Sequence, residues 1–171
     1  MQRSLQLTLA MLKPDLLLRP EAAEAVRSII IKEGFHIVRS KVMQWSLDDA
    51  MKFYKEHQGK FFFHRLVTYI TSGPINPMIL AHPSAVTRWR ELMGPTRTYQ
   101  AQVLAPYSIR GLYGLTDTRN STHGSDSEES ARREITFFFE DFDPETWLKT
   151  GDLLYKEDLS QFTGKPGHLR S

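Results

Sequence analysis

A histidine among polar neighbours is the side chain of this sequence best suited to covalent chemistry. His123 lies in the stretch 119–126, whose residues contribute little to packing and much to hydrogen bonding. A helical pattern begins just after it, and Glu134 falls on the apolar inner face of that helix. Because a buried carboxylate needs a partner, the imidazole and Glu134 are expected to pair. At a helix N-terminus, where anions are favoured, this arrangement suits a nucleophile that accepts a phosphoryl group.

The residues that follow His123 predict how this helix begins. Gly124 permits a turn or a close approach of the backbone. Ser125 is expected to cap the helix, with Glu128 three residues later completing a capping box. The alternative for the whole stretch is a loop histidine and a glutamate whose carboxylate reaches solvent.

The composition narrows the class of protein. A chain of 171 residues predicts one domain with a sizeable core. A net charge of +2 gives little attraction to nucleic acid or to a membrane surface. The absence of cysteine excludes disulfides and thiolate metal sites and fits an intracellular protein. No apolar run approaches the roughly 20 residues of a membrane span, and no clear signal or transit peptide is expected at the N-terminus.

The first strand places a second charged group. Residues 5–12 read as a central strand, which ends abruptly at Lys13-Pro14-Asp15. A lysine at the end of a buried strand is well placed to meet an anion in a cleft. The alternative is a lysine whose amine reaches solvent at the edge of the sheet.

Apolar periodicity predicts the remaining elements and the fold class. In order, these are a helix from Pro20 to Gly34, an extended stretch 35–45, a helical hairpin from Ser46 to Pro74, a strand 75–81, a helix from Pro83, a long loop 94–108, a short strand near 121–124, and the helix after His123. Without the hairpin this is a ferredoxin-like βαββαβ order, an α+β fold with a four-stranded antiparallel sheet and helices on one face. The domain is predicted to span 1–148, and 149–171 reads as an irregular tail.

With these elements in place, the chain resembles the nucleoside diphosphate kinases. The signature is Asn120-x-x-His123-Gly124-Ser125-Asp126. Further motifs agree with it in the right order: Leu12-Lys13-Pro14-Asp15, Phe61-Phe62, Ser72-Gly73-Pro74, Ile109-Arg110-Gly111, and Ser130-Ala131 through Glu134-Ile135. The resemblance runs from about residue 7 to 147. Two stretches, 92–97 and 114–120, are most similar to the type-6 branch of that family.

The resemblance implies a role for each matching position. His123 would be the nucleophile that carries the γ-phosphoryl group of a nucleoside triphosphate to a diphosphate, in a ping-pong reaction through a phosphohistidine. Glu134 and Ser125 would orient the imidazole, and Tyr54 would lie beside it.

The resemblance also implies how the nucleotide is held. Lys13 and Asn120 would lie near the transferred phosphate or the sugar, whereas Arg90, Thr96 and Arg110 would hold the phosphates. Positive charge around the phosphoryl oxygens is what phosphoryl transfer needs, which supports these cations on physical grounds.

The implied ligands are ATP, GTP and other nucleoside tri- and diphosphates. Phe62 would stack on the base, and stacking accepts any base. Mg²⁺ would arrive on the nucleotide phosphates and not in a protein site, as is usual for magnesium. The type-6 resemblance implies a mitochondrial location, with the cytoplasm as the alternative.

One departure from the family keeps a second function open. The interval Arg90–Arg110 is longer than in typical members, within the loop that helps to build their hexamer and shape the nucleotide cleft. This argues against a hexamer and leaves another homo-oligomer, or a protein partner, as the expectation. The alternative function is therefore a weakly active or inactive relative that works as a nucleotide-binding partner in a complex.

An RNA-binding module shares the βαββαβ order and is the remaining alternative. Residues 110–114 faintly echo the aromatic RNA-contacting stretch of that fold, but their glycine and aromatic positions do not match. The near-neutral charge also gives little attraction to phosphate backbones, so neither DNA nor RNA is expected as a partner.

Overall fold

A four-stranded antiparallel sheet carries the other elements of the computed structural model, which describes residues 4–151. The strands are β1 (Gln6–Leu12), β2 (His36–Ser40), β3 (Asn76–His82) and β4 (Thr122–Gly124). The helices are α1 (Pro14–Leu17), α2 (Pro20–Lys32), α3 (Leu47–Phe53), α4 (Phe63–Ile70), α5 (Ala85–Met93), α6 (Thr98–Leu104), α7 (Ile109–Tyr113), α8 (Glu128–Phe138) and α9 (144–151). A 3₁₀ turn, Lys55–His57, lies between α3 and α4.

The strand order is β2-β3-β1-β4, which confirms the predicted ferredoxin-like α+β fold. β1 lies at the centre and pairs along its whole length with β3. Its other edge pairs with the short β4, where Met11 lies opposite His123. The nucleophile candidate is therefore on an edge strand of three residues, next to a strand in which six of seven residues are buried.

Both faces of the sheet are covered. One face packs on α2, α5 and α7, through a core that includes Leu12, Leu80 and Trp89. The opposite face packs on the hairpin α3–α4 and on α8, through a core that includes Met11, Ile79 and Ile135. The prediction of helices on one face holds for α2 and α5, whereas the inserted hairpin and α8 bury the second face.

Several helix ends follow the local signals of the sequence. Gly34 adopts a positive φ of 84° just beyond α2, where a residue without a Cβ is favoured. Ser46 caps α3, and its side chain accepts a hydrogen bond from the main-chain N–H of Asp49. The cap of α8 is Ser127 and not Ser125, so that prediction was wrong. Ser127 accepts from Ser130 N, whereas Ser125 is still extended beside β1.

Two stretches predicted as irregular contain helices. Within the predicted loop 94–108 the structure has α6, which buries only Thr98 and Ala101 and therefore lacks an apolar stripe. The predicted irregular tail begins at residue 149, inside α9 (144–151), where Trp147 and Leu148 pack against the core. The predicted tail 149–171 falls, from residue 152 on, outside the described residues. None of the helices described is long and apolar enough to cross a membrane.

Candidate active site

The side chains of His123 and Glu134 are in direct contact. β4 carries His123, α8 runs back past it, and Nε2 of the imidazole lies 2.5 Å from Oε1 of Glu134. Glu134 is buried, whereas His123 is partly exposed. With Nε2 occupied, Nδ1 is the ring nitrogen left for chemistry. Within residues 4–151 no hydrogen bond to Nδ1 is found.

Tyr54 also lies beside the imidazole. Its ring is perpendicular to that of His123, with centroids 6.4 Å apart, and Phe53 makes a similar contact at 5.4 Å. Burial, and then the charge of Glu134, raises the pKa of Tyr54, so its phenol remains a hydrogen-bond donor. The Tyr54 hydroxyl and Oε2 of Glu134 are buried without a hydrogen-bond partner among the described residues.

Three cations from separate elements lie close together. Lys13 follows β1, Arg110 is in the first turn of α7, and Arg90 is in α5. Burial, and then the charge of Arg110, lowers the pKa of Lys13 to about 7. Burial, and then the charge of Arg90, lowers the pKa of Arg110 to about 10. Each cation disfavours the protonated form of its neighbour, and a bound anion such as a phosphate would offset this repulsion.

Main-chain oxygens fix the position of Arg110. Its Nη1 donates to the carbonyl oxygen of Gly94 at 2.9 Å, and Nη2 donates to that of Thr122 at 3.2 Å. Nε is buried without a partner among residues 4–151. The guanidinium therefore connects the end of α5 to the strand that carries the histidine.

Asn120 connects Lys13 to the segment after α5. Its Oδ1 accepts from Nζ of Lys13 at 2.7 Å, and its Nδ2 donates to the carbonyl oxygens of Thr96 and Asp117 at 3.1 Å. The side chain of Thr96 is exposed. Asn120 thus orients the lysine, while Thr96 presents its hydroxyl at the surface of the same segment.

Two of the predicted site residues lie further from the imidazole. Phe62, at the start of α4, is half-buried and is linked to His123 through the rings of His57 and Tyr54. Ser125 follows β4 in the chain, and its Oγ accepts from Leu9 N at 3.3 Å. In the described part of the chain no hydrogen bond joins Ser125 to His123 or Glu134.

A buried network that the sequence reasoning missed holds the loop before His123. Asp15 accepts the Ser121 main-chain N–H at 3.0 Å through Oδ2 and the Tyr69 hydroxyl through Oδ1. The Tyr69 oxygen in turn accepts from Asp15 N at 2.7 Å. Ser121 has a positive φ of 73°, a strained value for a residue with a side chain. Asp15 belongs to the motif Leu12-Lys13-Pro14-Asp15, but nothing near it in the chain indicates that it binds Ser121.

Comparison with known proteins agrees with this geometry. The family model described as "Nucleoside diphosphate kinase" matches residues 6–143. Nucleoside diphosphate kinase 6 of Mus musculus is 51% identical over 166 residues, which cover 97% of this chain and 84% of the mouse protein. The chain belongs to the nucleoside diphosphate kinase family, and its resemblance to the type-6 branch is confirmed.

Solved structures share the fold. Nucleoside diphosphate kinase of Aquifex aeolicus matches with a TM-score of 0.76 and 37% identity, over 80% of this chain and 96% of that one. The enzyme of Halobacterium salinarum, solved in complex with CDP, matches with a TM-score of 0.73 and 36% identity, over 84% and 97%. Family and fold together support nucleotide phosphoryl transfer as the class of activity.

Proposed function

We propose that this chain transfers the γ-phosphoryl group of a nucleoside triphosphate to a nucleoside diphosphate through a phosphohistidine at His123. The observation that carries the proposal is the contact between Nε2 and the buried carboxylate of Glu134. It keeps the proton on Nε2 and leaves the lone pair of Nδ1 for attack. It also stabilises the positive charge that the imidazole gains on phosphorylation.

The second half-reaction is the reverse of the first, with a different nucleoside diphosphate. The Nδ1 lone pair attacks the γ-phosphorus, the bond to the bridging oxygen breaks, and its electron pair leaves with the diphosphate. A terminal oxygen of the second diphosphate then attacks the same phosphorus, and the P–N electron pair returns to Nδ1. Lys13, Arg90 and Arg110 would neutralise the phosphate oxygens, and the Tyr54 hydroxyl would donate to the transferred group.

A nucleotide-sized groove lies beside the segment that leads to Asn120, and its lining does not include Lys13, Arg90 or Arg110. It encloses about 750 Å³ between α4 and residues 116–119, within the range of roughly 300–1,000 Å³ that small-molecule sites occupy. Tyr69 and Arg119 line it, and Asn120 follows directly in the chain. Phe62 lies at the start of the same helix, where its ring could stack on a base.

Magnesium is proposed to enter as part of the nucleotide substrate. Among residues 4–151 no group of three or more His, Cys, Asp or Glu side chains is placed to hold a metal ion. Mg²⁺ is commonly bound through substrate phosphates, so the cations of the site would contact the phosphate oxygens that the ion leaves uncovered.

Covalent labelling tests the proposal. Incubation with ATP labelled on the γ-phosphate should give a phosphoprotein that is labile in acid and stable in alkali. The label should be absent in His123→Ala and retained in His36→Ala, which replaces an exposed histidine of β2 at the opposite edge of the sheet. A well-folded protein that acquires no such label would contradict the proposed mechanism.

A partner protein without catalytic turnover is the second candidate. The segment 98–115, with α6 and α7, exposes several large apolar side chains: Tyr99, Val103, Leu104, Tyr107, Leu112 and Leu115. Exposed apolar surface of this kind is common at protein-binding sites. Steady-state transfer from ATP to several diphosphates by the isolated protein separates the two candidates, since normal turnover leaves the partner role unnecessary.

A further inference from the structure

The main chain of His123 is held by a tryptophan on the opposite face of the sheet. Nε1 of Trp89, in α5, donates a hydrogen bond to the carbonyl oxygen of His123 at 3.1 Å. Trp89 is fully buried, and its ring meets Phe35 edge-on with centroids 6.3 Å apart. Because the whole core on this face encloses the indole, its position does not depend on a single neighbour such as Phe35.

Cross-strand pairing explains why Glu134 and Trp89 contact His123 from opposite faces of the sheet. His123 lies opposite Met11, whose side chain faces α8, and so the imidazole faces Glu134. Trp89 packs instead with Leu12, on the face covered by α2 and α5. β4 thus lies between the carboxylate that holds the imidazole and the indole that holds the backbone behind it.

This contact matters because β4 is a short edge strand, restrained mainly by β1 and by the Arg110 contact to the Thr122 carbonyl oxygen. The strand is three residues long and lies at the edge of the sheet, so within the described residues 4–151 it pairs with β1 alone. An additional donor to the His123 carbonyl oxygen limits the rotation of that peptide unit. The direction of the imidazole depends on that peptide.

Gly124 allows the indole to approach. A Cβ atom at this position would lie 2.5 Å from Cδ1 and 2.8 Å from Nε1 of Trp89. Both distances are far below van der Waals contact, so any side chain would displace the indole or the strand. The glycine of the signature thus makes room for the tryptophan, although its own φ is not positive.

We propose that Trp89 is a positioning residue for the transfer reaction. It acts through the backbone of His123 and fixes the direction in which Nδ1 points. Because Arg90 is the next residue of α5, the same helix positions both the nucleophile and one cation of the phosphate site. The catalytic part of this inference rests on the proposed function, whereas the effect on the imidazole does not.

Trp89→Phe tests the proposal by removing the donor while keeping an aromatic ring. Phe35→Leu is the matched control, since it makes a cavity in the same core without contacting His123. We expect the single-turnover rate of histidine phosphorylation to fall about tenfold in Trp89→Phe, because small misplacements of a nucleophile slow transfer strongly. The rate in Phe35→Leu, and the nucleotide Kd in both variants, should stay close to wild type.

A second readout does not depend on activity. In protein labelled with ¹⁵N-histidine, the imidazole resonances of His123 should shift in Trp89→Phe and stay in place in Phe35→Leu. Gly124→Ala should cause a similar shift, and its effect on the rate should not add to that of Trp89→Phe, because both disturb one contact.

The outcomes separate this inference from the proposed function. Failure of the wild-type protein to form phosphohistidine would refute the function, while the ¹⁵N shifts would still report on the contact. Equal rates and equal ¹⁵N spectra in Trp89→Phe and Phe35→Leu would refute the positioning role of Trp89.

Discussion

The amine of Lys13 donates a hydrogen bond to Oδ1 of Asn120 at 2.7 Å, deep enough that only 6% of the lysine is exposed. Burial is the largest cause of its low pKa, the Arg110 charge adds to it, and Asp15 opposes it in part. The lysine can therefore exchange its proton near neutral pH, while it is held in a fixed position by the asparagine.

Nucleotide affinity is expected to fall as the pH rises through about 7, the pKa of Lys13. Below that pH the amine is a cation that attracts phosphate, and above it the amine is neutral. Calorimetric titration with ADP across this range measures the effect. A terminal phosphate itself titrates at about pH 6, so Lys13→Gln is the control and should retain only that smaller dependence. Identical profiles for the two proteins would show that Lys13 does not titrate there.

The same proton makes stability depend on pH. Because the folded state lowers the pKa of Lys13 from 10.5 to about 7, the unfolded chain binds this proton between those values and the folded chain does not. The free energy of unfolding of wild type should therefore rise with pH across this window relative to Lys13→Gln, by at most about 1.4 kcal/mol per pH unit. Urea denaturation of both proteins at several pH values measures the difference, and parallel curves would contradict it.

Glu134→Gln should slow histidine phosphorylation by about 100-fold, because an amide cannot stabilise the imidazolium as a carboxylate does. Quenched-flow measurement of the first turnover tests this. Glu129→Gln, in the exposed first turn of α8, is the matched control and should retain the wild-type rate. A rate in Glu134→Gln that equals the control would exclude a catalytic role for the contact with Nε2.

Tyr54→Phe should separate stability from activity. The Tyr54 hydroxyl is buried without a partner in the described part of the chain, so its removal should leave the free energy of unfolding unchanged or higher. Phosphoryl transfer should nevertheless slow by about tenfold, because a donor to the transferred group is lost. Thermal unfolding and single-turnover kinetics on one preparation give both quantities. If Tyr54→Phe lowered the stability and left phosphoryl transfer at the wild-type rate, the hydroxyl would have a structural role and not a catalytic one.

Tyr69→Phe should lower stability through Asp15. Without the hydroxyl, one carboxylate oxygen and the main-chain N–H of Asp15 lose their partner in a buried place, which costs about 1–3 kcal/mol. Urea denaturation measures the loss. Tyr99→Phe removes a hydroxyl from an exposed tyrosine and should be neutral. Equal stability of the two variants would mean that the network does not hold Ser121.

Local signals allowed much of the fold to be predicted. The alternation of β1, the cap at Ser46 and the stop at Gly34 are properties of neighbouring residues, and the structure has each of them. α6 could not be predicted, since its apolar side chains are exposed and two distant residues anchor its start. Asp117 accepts from Thr98 N, and Thr116 O accepts from the Thr98 hydroxyl.

In the candidate site, too, contacts between residues close in the chain could be predicted, whereas contacts between distant residues could not. Glu134 could be predicted because a carboxylate on an apolar helix face needs a partner. Its partner His123 is only eleven residues away, and α8 brings the two together. The contact between Asp15 and Ser121 joins residues 106 positions apart, and nothing nearby in the chain indicates it. The roles of Ser125, Thr96 and Phe62 stay predictions, since the protein alone does not bring them to the imidazole.

The buried polar atoms without partners at the candidate site imply a trade-off between the stability of the protein and its activity. Among residues 4–151, Tyr54, Glu134 and Arg110 each carry one buried polar atom without a partner, so this region is energetically frustrated in the absence of a nucleotide. Substitutions that relieve the frustration should be easy to obtain by selecting for heat resistance alone. Such a selection should yield more stable variants that have lost phosphoryl transfer. The first substitutions should occur at these three positions.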